Sequence, residues 1–323
     1  MKKNKISLIT GVAGTIGSNL ARSLIKNNHI VYGIDDFSLG KKKNIKELSK
    51  FQNFKIIKCD VSNFRQLKKK IKLRYKIDYL WLLAANSDIK SGVKNKSVDL
   101  IKTFMTTKVS IDFFLPYLSK NSKTIFSSSS AVYGNLKKKI DENMILYNPI
   151  SSYGEYKLLS ELYLKNILKI NKAKYLIIRF PNVVGPPLTH GVIFDFCKKI
   201  LFEKSLKVLG NGSQQKPYVY VQELVACMIF LANKKTEYNT YLCGPNDIGV
   251  NVKKIANLVK KIFKSEKKIL YGKQNFGWEG DVPFYQYKVS RLNKEGFRFK
   301  KSSLMAVEEA IKKNSEALAN EKY

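Results

Sequence analysis

Three glycines at intervals of three residues, Gly11-Val-Ala-Gly14-Thr-Ile-Gly17, stand between an apolar strand, Lys5 to Thr10, and a helix-forming segment through Asn19 to Lys26. No other stretch restricts the fold as strongly. Glycine lets the chain turn tightly and lets its backbone approach whatever lies opposite. A helix that starts straight after such a turn offers free N–H groups and the positive end of its dipole, a combination that suits a pyrophosphate. Gly11, Gly14, Thr15, Ile16 and Gly17 are therefore the first candidate binding residues.

A glycine triplet alone is weak evidence, and the residues beyond it decide its meaning. A second strand, predicted from His29 to Ile34, ends in Asp35-Asp36, about where a carboxylate would receive the hydroxyls of an adenosine ribose. Asp35 favours NAD, because the 2′-phosphate of NADP would meet its negative charge. The basic run Lys41 to Lys43 argues for NADP, or is only a solvated loop. Further strands are expected at Phe54 to Lys58, leading into Asp60-Val61, and at Tyr79 to Leu83, leading into Ala84, Ala85 and Asn86. Others are expected at Thr124 to Ser128 and Tyr175 to Phe180. Strands alternating with helical segments imply a parallel sheet with right-handed crossovers. Val98 to Leu118 reads as one long helix that Pro116 ends or kinks.

Tyr153 and Lys157 lie one turn apart on a segment rich in helix formers and share a face. A neighbouring ammonium stabilises a phenolate, which moves a tyrosine toward the range of a general base. In a lysine-rich chain the same spacing also arises on an ordinary surface helix, so its context has to carry the reading.

Beyond Asn182 the chain turns irregular and is punctuated by Pro and Gly, which places a domain boundary near residue 181. Residues 1–181 are expected to form the dinucleotide-binding domain and 182–323 a second, discontinuous lobe, with returns to the first near residues 217–244. The charged tail from Ser303 to Tyr323 reads as an amphipathic peripheral helix. Cys59, Cys197, Cys227 and Cys243 are scattered without metal-ligand spacing, so reduced core cysteines and no metal are expected. No apolar run is long enough to span a bilayer, and a cytoplasmic location is the expectation. The net charge of +34 raises the possibility of an anionic macromolecular partner, but only six of the 59 basic residues are arginine, the better bidentate reader of phosphates. Compositional bias explains the lysines more simply. A nucleic-acid binder of this fold is kept as the reading from a different class, distinguished by binding that weakens steeply with salt.

Taken together, these motifs resemble the extended short-chain dehydrogenase/reductase family, in particular its nucleotide-sugar epimerase/dehydratase group and a UDP-glucose 4-epimerase-like branch. The motifs come in the family's order: the glycine triplet, Asp35, Asp60-Val61, Leu83-Ala84-Ala85, a Ser-Ser-x-x-Val-Tyr-Gly segment ending at Gly134, Tyr153-x-x-x-Lys157, and Arg179-x-x-Asn182-x-x-Gly185-Pro186. The resemblance implies an α/β fold with a Rossmann-type doubly wound parallel sheet and a smaller mixed α/β substrate-binding lobe. It also implies bound NAD, a nucleoside-diphosphate sugar as substrate, and a homodimer. Ser129 would hydrogen-bond the substrate oxygen, Tyr153 would be the acid/base, and Lys157 would hold the nicotinamide ribose. Ser130, Asn182, Val208, Lys216, Trp278 and Asp281 would meet the substrate.

Departures from the family pattern narrow the reaction. Tyr156 precedes the catalytic lysine where Ser or Thr is usual, and Thr106 and Thr107 stand nearest the place of an expected asparagine. Lys216 stands where an arginine is common, and Trp278 where the well-known 4-epimerases carry arginine. Ser130 and Ala131 occupy the positions of the acidic pair used by dehydratases. The resemblance therefore implies epimerisation, at C4 through a transient 4-keto sugar, with dehydration or reduction as the alternatives.

Overall fold

The computed structural model describes residues 4–136, 139–144, 147–277 and 280–320. The chain folds as two compact units, one of Met1–Val132, Ser152–Arg179 and Met228–Thr240, the other of Tyr133–Ser151, Phe180–Cys227 and Tyr241–Tyr323. The boundary expected near residue 181 is thus an interleaved one. Tyr133–Ser151, placed in the first domain by the sequence reading, groups with the second unit, where the strand Ile140–Asp141 pairs in parallel with Tyr287–Lys288. The returning segment is Met228–Thr240, shorter than the residues 217–244 expected.

A seven-stranded sheet is built from β1 (Ile6–Thr10), β2 (Ile30–Asp35), β3 (Phe54–Lys58), β4 (Ile77–Leu82), β5 (Leu118–Ser129), β6 (Lys174–Phe180) and β7 (Thr240–Leu242), in the order β7-β6-β5-β4-β1-β2-β3. The pairings β1 with β2 and β4, β2 with β3, and β4 with β5 are parallel. Every residue of β1 is buried, as expected of a central strand covered on both faces. Strand order reverses beside β1, and it is outside the strand ends at such a switch point that sheets of this kind bind ligands.

Helices α1 (Thr15–Lys26), α2 (Phe64–Lys70), α3 (Ile89–Lys94), α4 (Lys96–Asp99), α5 (Thr106–Phe114) and α6 (Ser152–Ile170) belong to the same unit. The single helix expected from Val98 to Leu118 is composite. A π-helical turn, Leu100–Met105, separates α4 from α5, and the run closes in a 3-10 turn, Leu115–Tyr117, at Pro116. Proline lacks the N–H that would continue the ladder, which accounts for the stop. Such π turns occur frequently at functional sites.

In the second unit short strands pair two by two: Asn182–Val184 with Tyr218–Tyr220, Leu206–Val208 with Ile269–Tyr271, and Gln215–Lys216 with Val250–Asn251. Its core gathers Phe196, Cys197 and Ile200, Ile255 and Val259, and the helix Ser303–Asn320. That helix is not peripheral. Ala306, Val307, Ala310 and Ile311 recur at the spacing of one helical face and are fully buried. The charged residues between them occupy the other face and gave the tail its peripheral look in the sequence.

Candidate active site

The glycine turn makes a close-packed cradle. Gly11 has φ +73°, and a Cβ on it would lie 2.9 Å from the Ala84 Cα across the turn. A Cβ on Gly17 would sit 2.3 Å from the Gly11 carbonyl oxygen. Only glycine fits either place without displacing backbone. Gly14 caps α1 without a side-chain hydrogen bond, so the first N–H groups of the helix are not taken up by a capping side chain. Thr15 and Ile16 begin that helix. Uncapped N–H donors above a glycine cradle fit an anionic pyrophosphate. Across the turn, the Thr10 hydroxyl accepts the N–H groups of Leu83 and Ala84 at 3.2 and 3.3 Å and fixes the exit of β4. Ala85 continues that exit, and the Thr106 hydroxyl donates to the Ala84 carbonyl oxygen at 3.1 Å, tying α5 to it where an asparagine was expected.

Carboxylates end the next two strands. Asp35 accepts the N–H groups of Ala13 and Phe37, both at 2.8 Å. Burial raises its carboxyl above the ordinary value, and these two bonds act against the rise. Asp36 closes a turn with the N–H and hydroxyl of Ser38. Asp60 does the same with Ser62, and Val61 beside it is buried. The π turn then supplies a residue the sequence reading did not single out: the Lys102 ammonium reaches Asp36 at 2.6 Å and Asp60 at 3.3 Å. Burial alone would raise the Asp36 carboxyl, but the hydrogen bond from Lys102 helps hold it below the ordinary value. Within Lys41 to Lys43, the Lys41 N–H bonds the Ala13 carbonyl at 3.2 Å and the Lys42 ammonium lies 5.8 Å from the Phe37 ring centre.

Ser129, Tyr153 and Lys157 come together at the end of β5. Ser129 acts on the Tyr153 phenol, drawing it down, and the Ser129 hydroxyl accepts the Ala131 N–H at 3.1 Å. Lys157 is buried and donates to the Ser127 carbonyl at 2.6 Å, with its ammonium 4.8 Å from the Phe126 ring centre and 5.8 Å from that of Tyr153. Ser130 is buried in the turn after β5. The expectation that lysine would lower the tyrosine is reversed in this arrangement. Burial raises the Tyr153 phenol against the effect of Ser129, and burial pulls Lys157 down to about 7, opposed by Glu161 and Asp99. Tyr156 is half-buried, and its carbonyl receives the Ser160 hydroxyl at 2.7 Å.

One turn beyond Lys157, Glu161 is fully buried and receives Ser128 Oγ and both Nε and a terminal nitrogen of the equally buried Arg179. The motif position Arg179 is therefore a partner of α6. A glutamate four residues after the lysine, on an otherwise buried face, was the sequence signal for this pair.

The remaining expected residues lie in the second unit. Asn182 stands opposite Tyr218 in the strand pair. Val208 is buried in that unit's core. Lys216 and Asp281, both expected at the substrate, form an ion pair with each other, and Asp281 also accepts the Gly277 N–H at 3.1 Å. Trp278 lies outside the described residues. Among the described residues no group of three or more His, Cys, Asp or Glu could hold a metal ion, and no helix is long and apolar enough to cross a membrane.

A glycine-cradled helix start, acidic strand ends and a Ser-Tyr-Lys set on one parallel sheet define a dinucleotide-dependent enzyme of Rossmann architecture. The chain belongs to the NAD dependent epimerase/dehydratase family, whose model matches residues 7–244. It is similar to a UDP-N-acetyl-alpha-D-glucosaminuronate decarboxylase from Bacillus cytotoxicus, with 30% identity over 84% of this chain and 84% of that one. It is also similar to a UDP-glucuronate 4-epimerase from Thermodesulfobacterium geofontis, with 26% identity over 82% of each. The crystal structure of a UDP-glucose 4-epimerase from Thermotoga maritima with UDP-glucose superposes with a TM-score of 0.84 and 26% identity, over 98% of this chain and 100% of that one.

Proposed function

We propose that this chain is an NAD-dependent epimerase of a nucleoside-diphosphate sugar, a UDP-sugar by preference, acting at C4. The observation that carries the reading is the gathering of Ser129, Tyr153 and Lys157 at the end of β5, with Lys157 buried and its ammonium 5.8 Å from the Tyr153 ring centre. Tyr153 takes the proton of the sugar hydroxyl and later returns it, while Ser129 holds the same oxygen. Lys157 holds the nicotinamide ribose and completes the proton path. Gly11, Gly14, Thr15, Ile16 and Gly17 would hold the pyrophosphate, and Asp35 and Asp36 the adenosine ribose. Asp60, Val61, Leu83, Ala84 and Ala85 would line the rest. NAD, when bound, supplies reversible hydride exchange at the carbinol carbon. Asn182, Lys216 and Asp281 are the proposed substrate contacts of the second unit.

The name of the Bacillus relative supports decarboxylation of a uronic-acid sugar as a second reading. Both are tested by incubating the purified protein with UDP-glucose, UDP-galactose, their N-acetyl forms and UDP-glucuronate, separating the products and measuring released carbon dioxide. Interconversion of a C4 pair is the expected result. Carbon dioxide release with no such interconversion would replace the epimerase reading with the second one.

Lys102 gives this cofactor site its own test. Removing its ammonium leaves Asp36 and Asp60 as unneutralised carboxylates beside an anionic ligand. Lys102→Ala is expected to weaken NAD by about tenfold at low salt, the size of a partly exposed charge contact. Calorimetric titration checks it, and unchanged affinity would remove Lys102 from the cofactor site.

A further inference from the structure

Asp99, at the end of α4, is a fully buried carboxylate that the sequence reading did not single out. One of its oxygens accepts the Asn86 side-chain amide at 2.8 Å, and the other accepts the Ser152 hydroxyl at 2.7 Å. Asn86 belongs to the loop leaving β4, and its own N–H is bonded to the Thr103 hydroxyl in the π turn at 3.3 Å. Ser152 is the first residue of α6, immediately before Tyr153. A Cβ on Gly92, in α3, would lie 1.7 Å from the Asp99 carboxylate, so only glycine there leaves room for it. The sequence therefore provides two bond donors and an empty pocket for a single buried charge.

We propose that Asp99 is a positioning residue for the acid–base pair, its carboxylate clamping the first turn of α6, the helix that carries Tyr153 and Lys157, to the β4 exit. The titratable groups on which its carboxylate acts are Tyr153 and Lys157, both on α6. From α3 it meets Gly92, and from the β4 loop the neutral amide of Asn86. The carboxylate favours the charged form of Lys157 and disfavours the phenolate of Tyr153. Its effect is thus to keep the proton on both members of the pair in the resting enzyme. This inference rests on Tyr153 and Lys157 being the acid–base pair.

Asp99→Asn tests it, because the amide matches the carboxylate in shape. Its oxygen can still accept Asn86, and its nitrogen can donate to a Ser152 hydroxyl that turns to the Gly92 carbonyl, 3.2 Å away. With the negative charge gone, both Lys157 and Tyr153 lose protons more readily. The Lys157 midpoint, followed by NMR of 13Cε-labelled lysine in the NAD-free protein and assigned with Lys157→Met, is expected to fall by about one pH unit. Because Tyr153 also gives up its proton more readily, the acidic limb of the kcat profile should move to lower pH. Ser152→Ala keeps the charge but releases the clamp, and is expected to lower kcat about fivefold with KM and the limb unmoved.

An unmoved Lys157 midpoint in folded Asp99→Asn would overturn the proposal. If that variant does not fold, wild-type kcat in Ser152→Ala overturns it instead. The NMR readout needs no turnover. A moved midpoint in a protein without epimerase activity would therefore support the role of Asp99 while removing the epimerase reading.

Discussion

Tyr153→Phe is expected to lower kcat by about a thousandfold, the ordinary contribution of a positioned proton-transfer group. The ring remains and only the hydroxyl is lost. The ring's place above the Lys157 ammonium, 5.8 Å from centroid to nitrogen, is compatible with phenylalanine. NAD should stay bound, because the glycine cradle and acidic strand ends are untouched. The measurement is turnover of a UDP-sugar pair beside the NAD content of the purified variant. Loss of both together would point to a structural role, and retained turnover would move the acid/base elsewhere. The effect should also differ from that of a substrate contact: KM stays near wild type while kcat falls, as for an interaction made mainly in the transition state. Because burial raises the phenol, wild-type kcat should climb with pH on its acidic side, and that limb should vanish from the residual activity of the variant.

Much of this site is legible along the chain because local chemistry dictates it. The glycine triplet must be a turn, since no other residue tolerates the close approaches at Gly11 and Gly17. Asp35 and Asp60 come after strands whose apolar pattern is plain, and Tyr153 and Lys157 share a helix face by arithmetic. Less legible are contacts that depend on where distant segments meet. Lys102 reads as one lysine among 53, and only the π turn aims it at Asp36 and Asp60. No local pattern marks Asp99 out, yet folding buries it against Ser152. The tyrosine–lysine electrostatics were misjudged for a related reason. Helical spacing gives proximity, but burial, which no local pattern reveals, dominates both groups. The tail helix Ser303–Asn320 was misplaced although its face was readable, because its charges drew the eye from its apolar stripe and its partners lie more than forty residues away.

Glu161→Gln should have the largest effect on stability. Glu161 and Arg179 are both fully buried, with the guanidinium Nε 2.8 Å from one carboxylate oxygen and a terminal nitrogen on the other. Replacing such a pair with apolar residues can be neutral, but removing one charge strands the other in the interior and costs about 3–5 kcal/mol. That is a large share of the stability of a typical domain, roughly 5–15 kcal/mol. Glutamine can still accept one guanidinium bond, so the stranded charge, more than the lost bond, sets the loss. Ser128 Oγ loses a charged acceptor as well, at the end of the strand that carries Ser129. Because two units need not melt together, the reading should be the first thermal transition, with circular dichroism confirming which structure it reports. The partner variant Arg179→Met leaves the carboxylate only the part-exposed Lys165, 3.6 Å away, as a counter-charge and should cost somewhat less. The double variant Glu161→Gln, Arg179→Met leaves neither charge buried alone, so it should be markedly more stable than the two single losses summed. An additive double variant would mean that the two side chains act independently, and the buried pair would then not be what holds α6 against β6.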